Sequence, residues 1–229
     1  MVETVMGMAP TEGRTLPKRA KEHKRVCSMA RDNGGPFRTR QERPPMPAIA
    51  TVLQEQLASY RQRWPGEADV VDQFAALLDD PADPFMRERL AGHLTGGAWL
   101  VSADGKRTLL THHRKLGRWL QLGGHADGDT DMARVALKEA EEESGLADLR
   151  VDAEAIFDLD RHWIPERKDV PGHWHYDVRY VVHATGSEAY VVSEESLDLA
   201  WREIAPIAAE DDESLSRMAR KWLALNAGA

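Results

Sequence analysis

"GGHADGDTDMARVALKEAEEESGL", Gly123 to Leu146, is the stretch that organises the rest of the chain. It crowds acidic side chains around a short helical pattern, although each like-charge pair at helical spacing costs about 0.2–0.5 kcal/mol. Glu139, Glu142 and Glu143 stand at i, i+3 and i+4 and point the same way from a helix. Ala133, Ala136, Leu137, Ala140 and Ser144 fill the adjoining face, small enough for a helix to press closely on a sheet. Asp129 or Thr130 is placed to cap the first turn, and Gly145 suits the left-handed position that ends a helix. A solvated acidic face is one reading of this pattern and a cation site is the other. The Gly-Gly turn after "GRWLQL" favours the cation, because glycine lets backbone approach a ligand closely. Carboxylate oxygens at this density suit Mg2+ (or Mn2+), which bridges to substrate phosphates.

Outward from this helix the chain is amphipathic and soluble in character. It has 229 residues, 42% hydrophobic and 30% charged, sufficient for one substantial core plus an accessory element. No apolar run approaches the roughly 18 residues that span a bilayer, so no membrane partner is expected and the expected compartment is cytoplasmic. One cysteine, Cys27, leaves no intramolecular disulfide and no thiolate zinc site. Residues 1–47 carry a net +5 and the remainder −13. An acidic body argues against nucleic acid as a partner of the folded part. Residues 1–46, with "PKRAKEHKR" and "RTRQERPPMP", lack apolar side chains to pack and are expected to be a disordered basic extension. That extension is either upstream of the true start at Met46 or a polyanion-binding or targeting tail.

Residues 47–94 form a helical lead. Ile49, Val52, Leu53, Leu57 and Tyr60 share one helix face, Val70, Val71, Phe74, Leu77 and Leu78 a second, and a third short helix is expected at about 84–92. "AWLVS" and "RTLLTH" flank the turn signal "ADGK" and predict a hairpin over roughly 97–112. Further strands are expected at 149–157, 175–184 and 197–201, and a terminal helix at about 213–225. The order of elements predicts an α/β fold with its main helix after the first strands.

The opening stretch resembles the Nudix box, whose pattern is Gly-x5-Glu-x7-Arg-Glu-apolar-x-Glu-Glu-x-Gly-apolar. Gly124, Glu139, Ala140, Glu142, Glu143, Gly145 and Leu146 fall in register, while Thr130 replaces the first Glu and Lys138 the Arg. The resemblance implies an α/β/α sandwich with a mixed sheet over residues 95–229. It also implies a pyrophosphohydrolase that uses a divalent metal to cut a nucleoside diphosphate-linked or related small molecule. In that reading Glu142 and Glu143 are metal ligands, Glu139 is a further ligand or the base, and the Gly124 carbonyl adds a ligand. A homodimer is compatible with it. The missing Glu and Arg are thought to steady the loop in the family; Asp127, Asp129 or Asp131 is the expected substitute partner of Lys138. A non-catalytic nucleotide-sensing module is the alternative function.

Arg114, Lys115 and Arg118 precede the Gly-Gly turn, where cations can meet phosphates, although a solvated turn accounts for them equally. In "HWIPERKDVPGHWHYDVRY", residues 162–180, strand alternation puts His173, His175, Asp177 and Arg179 on one face. His162, His175 and Arg179 are candidate substrate contacts, as is Trp163, which is placed to stack on a base. His-x-His with His162 nearby also suits a transition metal, against the plainer reading of imidazoles hydrogen-bonded to buried acids or to substrate.

Overall fold

The computed structural model describes residues 49–114, 116–167, 170–192 and 196–228; Lys115 and the amino-terminal extension lie outside the described residues. Two helices lead, α1 (Ile49–Arg63) and α2 (Ala68–Asp79), separated by a 3-10 turn at Pro65–Glu67. Most of the two expected stripes is buried, with Leu53, Leu57, Tyr60, Val71, Phe74, Leu77 and Leu78 inside and Val70 partly so, but Val52 is 56% exposed. The expected third helix is absent: residues 84–91 make successive turns. Gly92, with φ 145°, ends the segment in a conformation outside any helix.

Strands β1 (Gly92–Val101), β2 (Arg107–His113), β3 (Trp119–Leu120) and β4 (Leu122–His125) precede helix α3 (Met132–Ser144). Then come β5 (Leu149–Val151), β6 (Asp158–Ile164), β7 (His173–Ala184), β8 (Ser196–Glu203) and helices α4 (Ile204–Ile207) and α5 (Glu213–Leu225). The sheet is mixed: β1 runs parallel to β7 and antiparallel to β2 and β4, and β5 and β6 flank β7. The strand expected over 149–157 stops at Val151, and β6 was not expected at all. One face carries Asp158, Asp160 and His162 and the other Leu159, Arg161 and Trp163, so it lacks the apolar alternation by which a half-buried strand is recognised.

Alternation along β1 and β7 divides the molecule into layers. Leu94, Val178 and Tyr180 join α1, α2 and α3 in one apolar cluster. Trp99, Val101 and Val181 pack with α4 and α5 in another on the opposite face. The fold is therefore an α/β sandwich with helices on both faces of a mixed sheet. The lead is tied to α5 by a buried ion network: Lys221 Nζ donates to Asp158 Oδ1 at 2.7 Å, to Glu67 Oε2 at 2.8 Å and to the Tyr60 hydroxyl at 2.5 Å.

Candidate functional site

Helix α3 closes on the sheet because β1 offers it glycine. A Cβ on Gly96 would stand 2.6 Å from Val135 Cγ1 and 3.1 Å from the Ala136 nitrogen. At Gly124 in β4 a Cβ would overlap the Glu139 carboxyl group, the far end of a side chain rather than backbone. Glu139 is thus held against strand backbone with its side chain 14% exposed, whereas Glu142 is 60% exposed. Gly145 caps the helix in the left-handed conformation, φ 70°, and its N–H donates to the Glu141 carbonyl. The N-cap is Asp131, which accepts from the Arg134 N–H at 3.1 Å, rather than Asp129 or Thr130.

Lys138 does not reach any of the aspartates expected to replace the missing Glu. Its ammonium lies 3.4 Å from Glu139 Oε1 and 3.4 Å from Glu142 Oε2. Partial burial disfavours its charge, but the two carboxylates hold its pKa above the ordinary value. The aspartates are taken by arginines: Arg87 donates from Nε and Nη2 to both oxygens of Asp127, and Arg134 donates from Nε to Asp129 Oδ2 at 2.8 Å. Those contacts pull Asp127 and Asp129 below the usual carboxylate range. Gly128 N–H adds a bond to the Phe85 carbonyl at 2.9 Å. Thr130 instead lines a cleft of about 410 Å³ between α1 and the start of α3, together with Gln56, Asp131 and Tyr180. The loop before α3 is therefore held from outside the box, by residues 85–87, and by Arg134 within it.

The face of the sheet turned away from α3 carries a second polar group. Register places His93 beside His175, Thr95 beside Asp177 and His125, and His175 beside His162, so these side chains share one face. The alternation expected for residues 173–179 holds. Burial pushes His125 down to about 4, with Arg87 adding to the shift, and burial pushes His175 down to about 3 against the opposing pull of Asp177. Both imidazoles are neutral at neutral pH.

Of the expected substrate contacts, His162 and His175 are brought together on that face, while Arg179, Trp163, Arg114 and Arg118 are directed elsewhere. Arg179 is 2% exposed and its guanidinium donates to Asp158, Asp160 and Asp177, each at 2.9 Å, and to the Ser214 hydroxyl at 2.7 Å. It is the centre of a buried ion network, because a guanidinium this deep requires carboxylates around it. Trp163 points to the opposite face from His162 and meets Trp174 edge-on at 5.2 Å. Arg114 Nη2 donates to the Ser196 carbonyl at 2.9 Å and so ties β2 to β8, while Arg118 is exposed in the following turn. Sequence reading passed over Arg87, His93 and His125. Only His125 left a signal, inside the quoted stretch itself.

Among the described residues no helix is long and apolar enough to cross a membrane. No family model and no curated protein matches the chain. Solved structures similar to it include the Ap4A hydrolase of C. elegans in a binary complex, at 18% identity and TM-score 0.46 over 59% of this chain and 98% of that one. A NUDIX-family hydrolase from Clostridium perfringens is 24% identical with TM-score 0.43, over 58% and 97% of the two chains. The MutT protein of Methanosarcina mazei Go1 is 15% identical with TM-score 0.46, over 60% and 97%. These likenesses are of fold: the chain is similar in fold to solved Nudix hydrolases.

Proposed function

We propose that this protein is a divalent-metal-dependent pyrophosphohydrolase acting on a nucleoside diphosphate-linked or related small molecule. The observation that carries the reading is the close approach of the Glu139 carboxyl group to the backbone of Gly124, on the helix whose next turn carries Glu142 and Glu143. The donor set is all oxygen, and it fits a hard ion such as Mg2+ or Mn2+. Such an ion, when bound, lowers the pKa of water and neutralises charge developing on phosphoryl oxygens. In this reading Glu142 and Glu143 hold the ion and Glu139 either joins them or accepts the proton of the attacking water. Glu139 is the more enclosed of the two carboxylates beside Lys138, 14% exposed against 60% for Glu142.

A panel of diphosphate-linked nucleotides with Mg2+ or Mn2+, followed for nucleoside monophosphate and phosphate, tests the reading. Glu142→Gln and Glu143→Gln should abolish turnover at unchanged melting temperature, and turnover near wild type in the folded double variant defeats it. Lys138 favours a second reading, a nucleotide-sensing module, because its ammonium already stands between Glu139 and Glu142. Nucleotide binding that survives chelation of divalent ions, with no product in the panel, decides for the sensor.

A further inference from the structure

The histidines on the far face of the sheet are not used by the carboxylate reading. His93, His173 and His175 each offer a ring nitrogen, and the three atoms lie within 4.8 Å of one another. His125 stands beside them, its ring centre 5.1 Å from that of His93 and 5.0 Å from that of His175. Four strands supply this geometry: β1, β4 and β7 carry these four rings, and His162 on β6 stands edge-on to His175 at 5.4 Å.

The hydrogen bonds settle which nitrogens are available. His173 Nδ1 lies 2.8 Å from the Pro171 carbonyl and His93 Nδ1 lies 3.3 Å from the Arg89 carbonyl. A carbonyl only accepts, so Nδ1 carries the proton in both rings and Nε2 presents a lone pair. This is the arrangement by which backbone carbonyls orient metal-ligating histidines. His93 is 3% exposed, and its Nε2 is buried without a hydrogen-bond partner. Leaving a buried nitrogen unsatisfied is costly, and such an atom calls for a ligand. His173 Nε2 and His175 Nε2 face each other at 3.2 Å. Nitrogens bound about 2.0–2.1 Å from one tetrahedral ion stand roughly 3.3 Å apart, so this pair already has the spacing of two ligands of one Zn2+.

We propose that His93, His173 and His175 form a binding site for a first-row transition ion of the Zn2+ class, with His125 at the fourth side. The site is chemically distinct from the carboxylate face of α3, since imidazole nitrogen selects borderline ions and clustered carboxylate oxygen selects hard ones. Asp177, which with His162 and His175 makes a neighbouring metal-compatible group, already accepts from Arg179 Nη2 and the Thr95 hydroxyl, so the three imidazoles are the less engaged donors. It stands 3.7 Å from His162 Nδ1 at the border of the site. Gly124 faces Glu139 and the next residue, His125, faces the imidazoles, so one strand separates the two sites. The inference does not depend on the hydrolase reading.

The test uses the full chain without an affinity tag, stripped of metal and titrated with Co2+ and then Zn2+. One Co2+ per chain should produce the intense visible absorption of a four- or five-coordinate nitrogen site, and Zn2+ should displace it. His175→Gln and His93→Asn should each weaken Zn2+ binding by about 100-fold or more, since even partners outside the coordination sphere are worth 10–100-fold. Glu142→Gln should leave the cobalt spectrum unchanged. If a histidine variant fails to fold, the wild-type spectrum still decides. Weak octahedral absorption alone, a sulfur-to-cobalt band that assigns the ion to Cys27, or equal Zn2+ uptake by wild type and a folded His175→Gln variant would overturn the proposal.

Discussion

Arg87 holds Asp127 by both carboxylate oxygens across forty positions of sequence, and this contact does for the loop before α3 what the box's own Glu and Arg do not do here. Both side chains are about half exposed. The pair is thus worth about 1 kcal/mol or less to global stability, while its two-pronged geometry restricts the loop locally. Arg87→Ala should therefore speed amide exchange in residues 126–131 and leave the melting temperature nearly unchanged. Arg87→Lys should not restore protection, because an ammonium cannot make the planar pair. Unchanged exchange in the alanine variant would show that Arg134 and the Gly128 bond hold the loop alone.

Two glycines separate packing from chemistry. At Gly96 a methyl group meets the branched, buried side chain of Val135 at 2.6 Å, where neither the helix nor the strand can yield easily. Gly96→Ala should destabilise the protein by about 1–3 kcal/mol in denaturant titration. At Gly124 the methyl meets the Glu139 carboxyl, the end of a rotatable side chain. Gly124→Ala should cost less stability and displace that carboxylate, so turnover should fall more than the denaturation midpoint. The opposite ranking of the two variants in stability would argue against the close approach at Gly96.

Lys221 is 4% exposed and joins three elements through Asp158, Glu67 and Tyr60. Truncating one partner of a buried ion pair leaves charge uncompensated and costs about 3–5 kcal/mol. Lys221→Ala should show a loss of that size in urea unfolding, and Tyr60→Phe, which removes a hydroxyl but no charge, should cost less. Near-wild-type stability of Lys221→Ala would mean that the lead helices are held by their apolar contacts and by other hydrogen bonds such as Tyr180 to Gln56 and Arg161 to Gln73.

Acid should unfold the protein through the same network. Burial alone would raise the Asp158 carboxyl, but Arg217, Arg179 and Lys221 overcome it and hold the group down at about 2, against 3.8 unperturbed. A depressed carboxylate contributes stability that is fully present above the unfolded value and is lost as pH falls through the folded one. The loss assigned to Asp158 therefore lies between about pH 3.8 and pH 2. Melting temperature measured across that window should fall more steeply for wild type than for Asp158→Asn. Parallel curves would remove Asp158 from the account.

Helix α3, its small-residue face and its Gly145 cap were legible from the chain, as were the stripes of α1 and α2 and the common face of His173, His175, Asp177 and Arg179. Each depends on a period of 3.6 or 2 and on the steric freedom of glycine, which neighbouring residues determine among themselves. The strand β6 is hidden in the sequence because Asp158 and Asp160 stand where one apolar face would be recognised, and they are tolerated there because Arg179 on β7 and Arg217 and Lys221 on α5 surround them in the completed fold. The partner of Lys138 was misjudged for a related reason: the aspartates it was matched with are claimed by Arg87, from a turn forty residues earlier, and by Arg134.

His173, His175 and His162 are a metal-compatible group already in the sequence, but it is tertiary structure that brings His93 and His125 to them. The chain shows which face of β7 carries His173 and His175, but it does not show that β1 pairs with β7 in parallel, with His93 beside His175. A slip of one residue in that register would send His93 to the opposite face and dissolve the group. Strand pairing between segments some eighty residues apart, set by apolar burial on both faces of the sheet, is what converts separate imidazoles into one site.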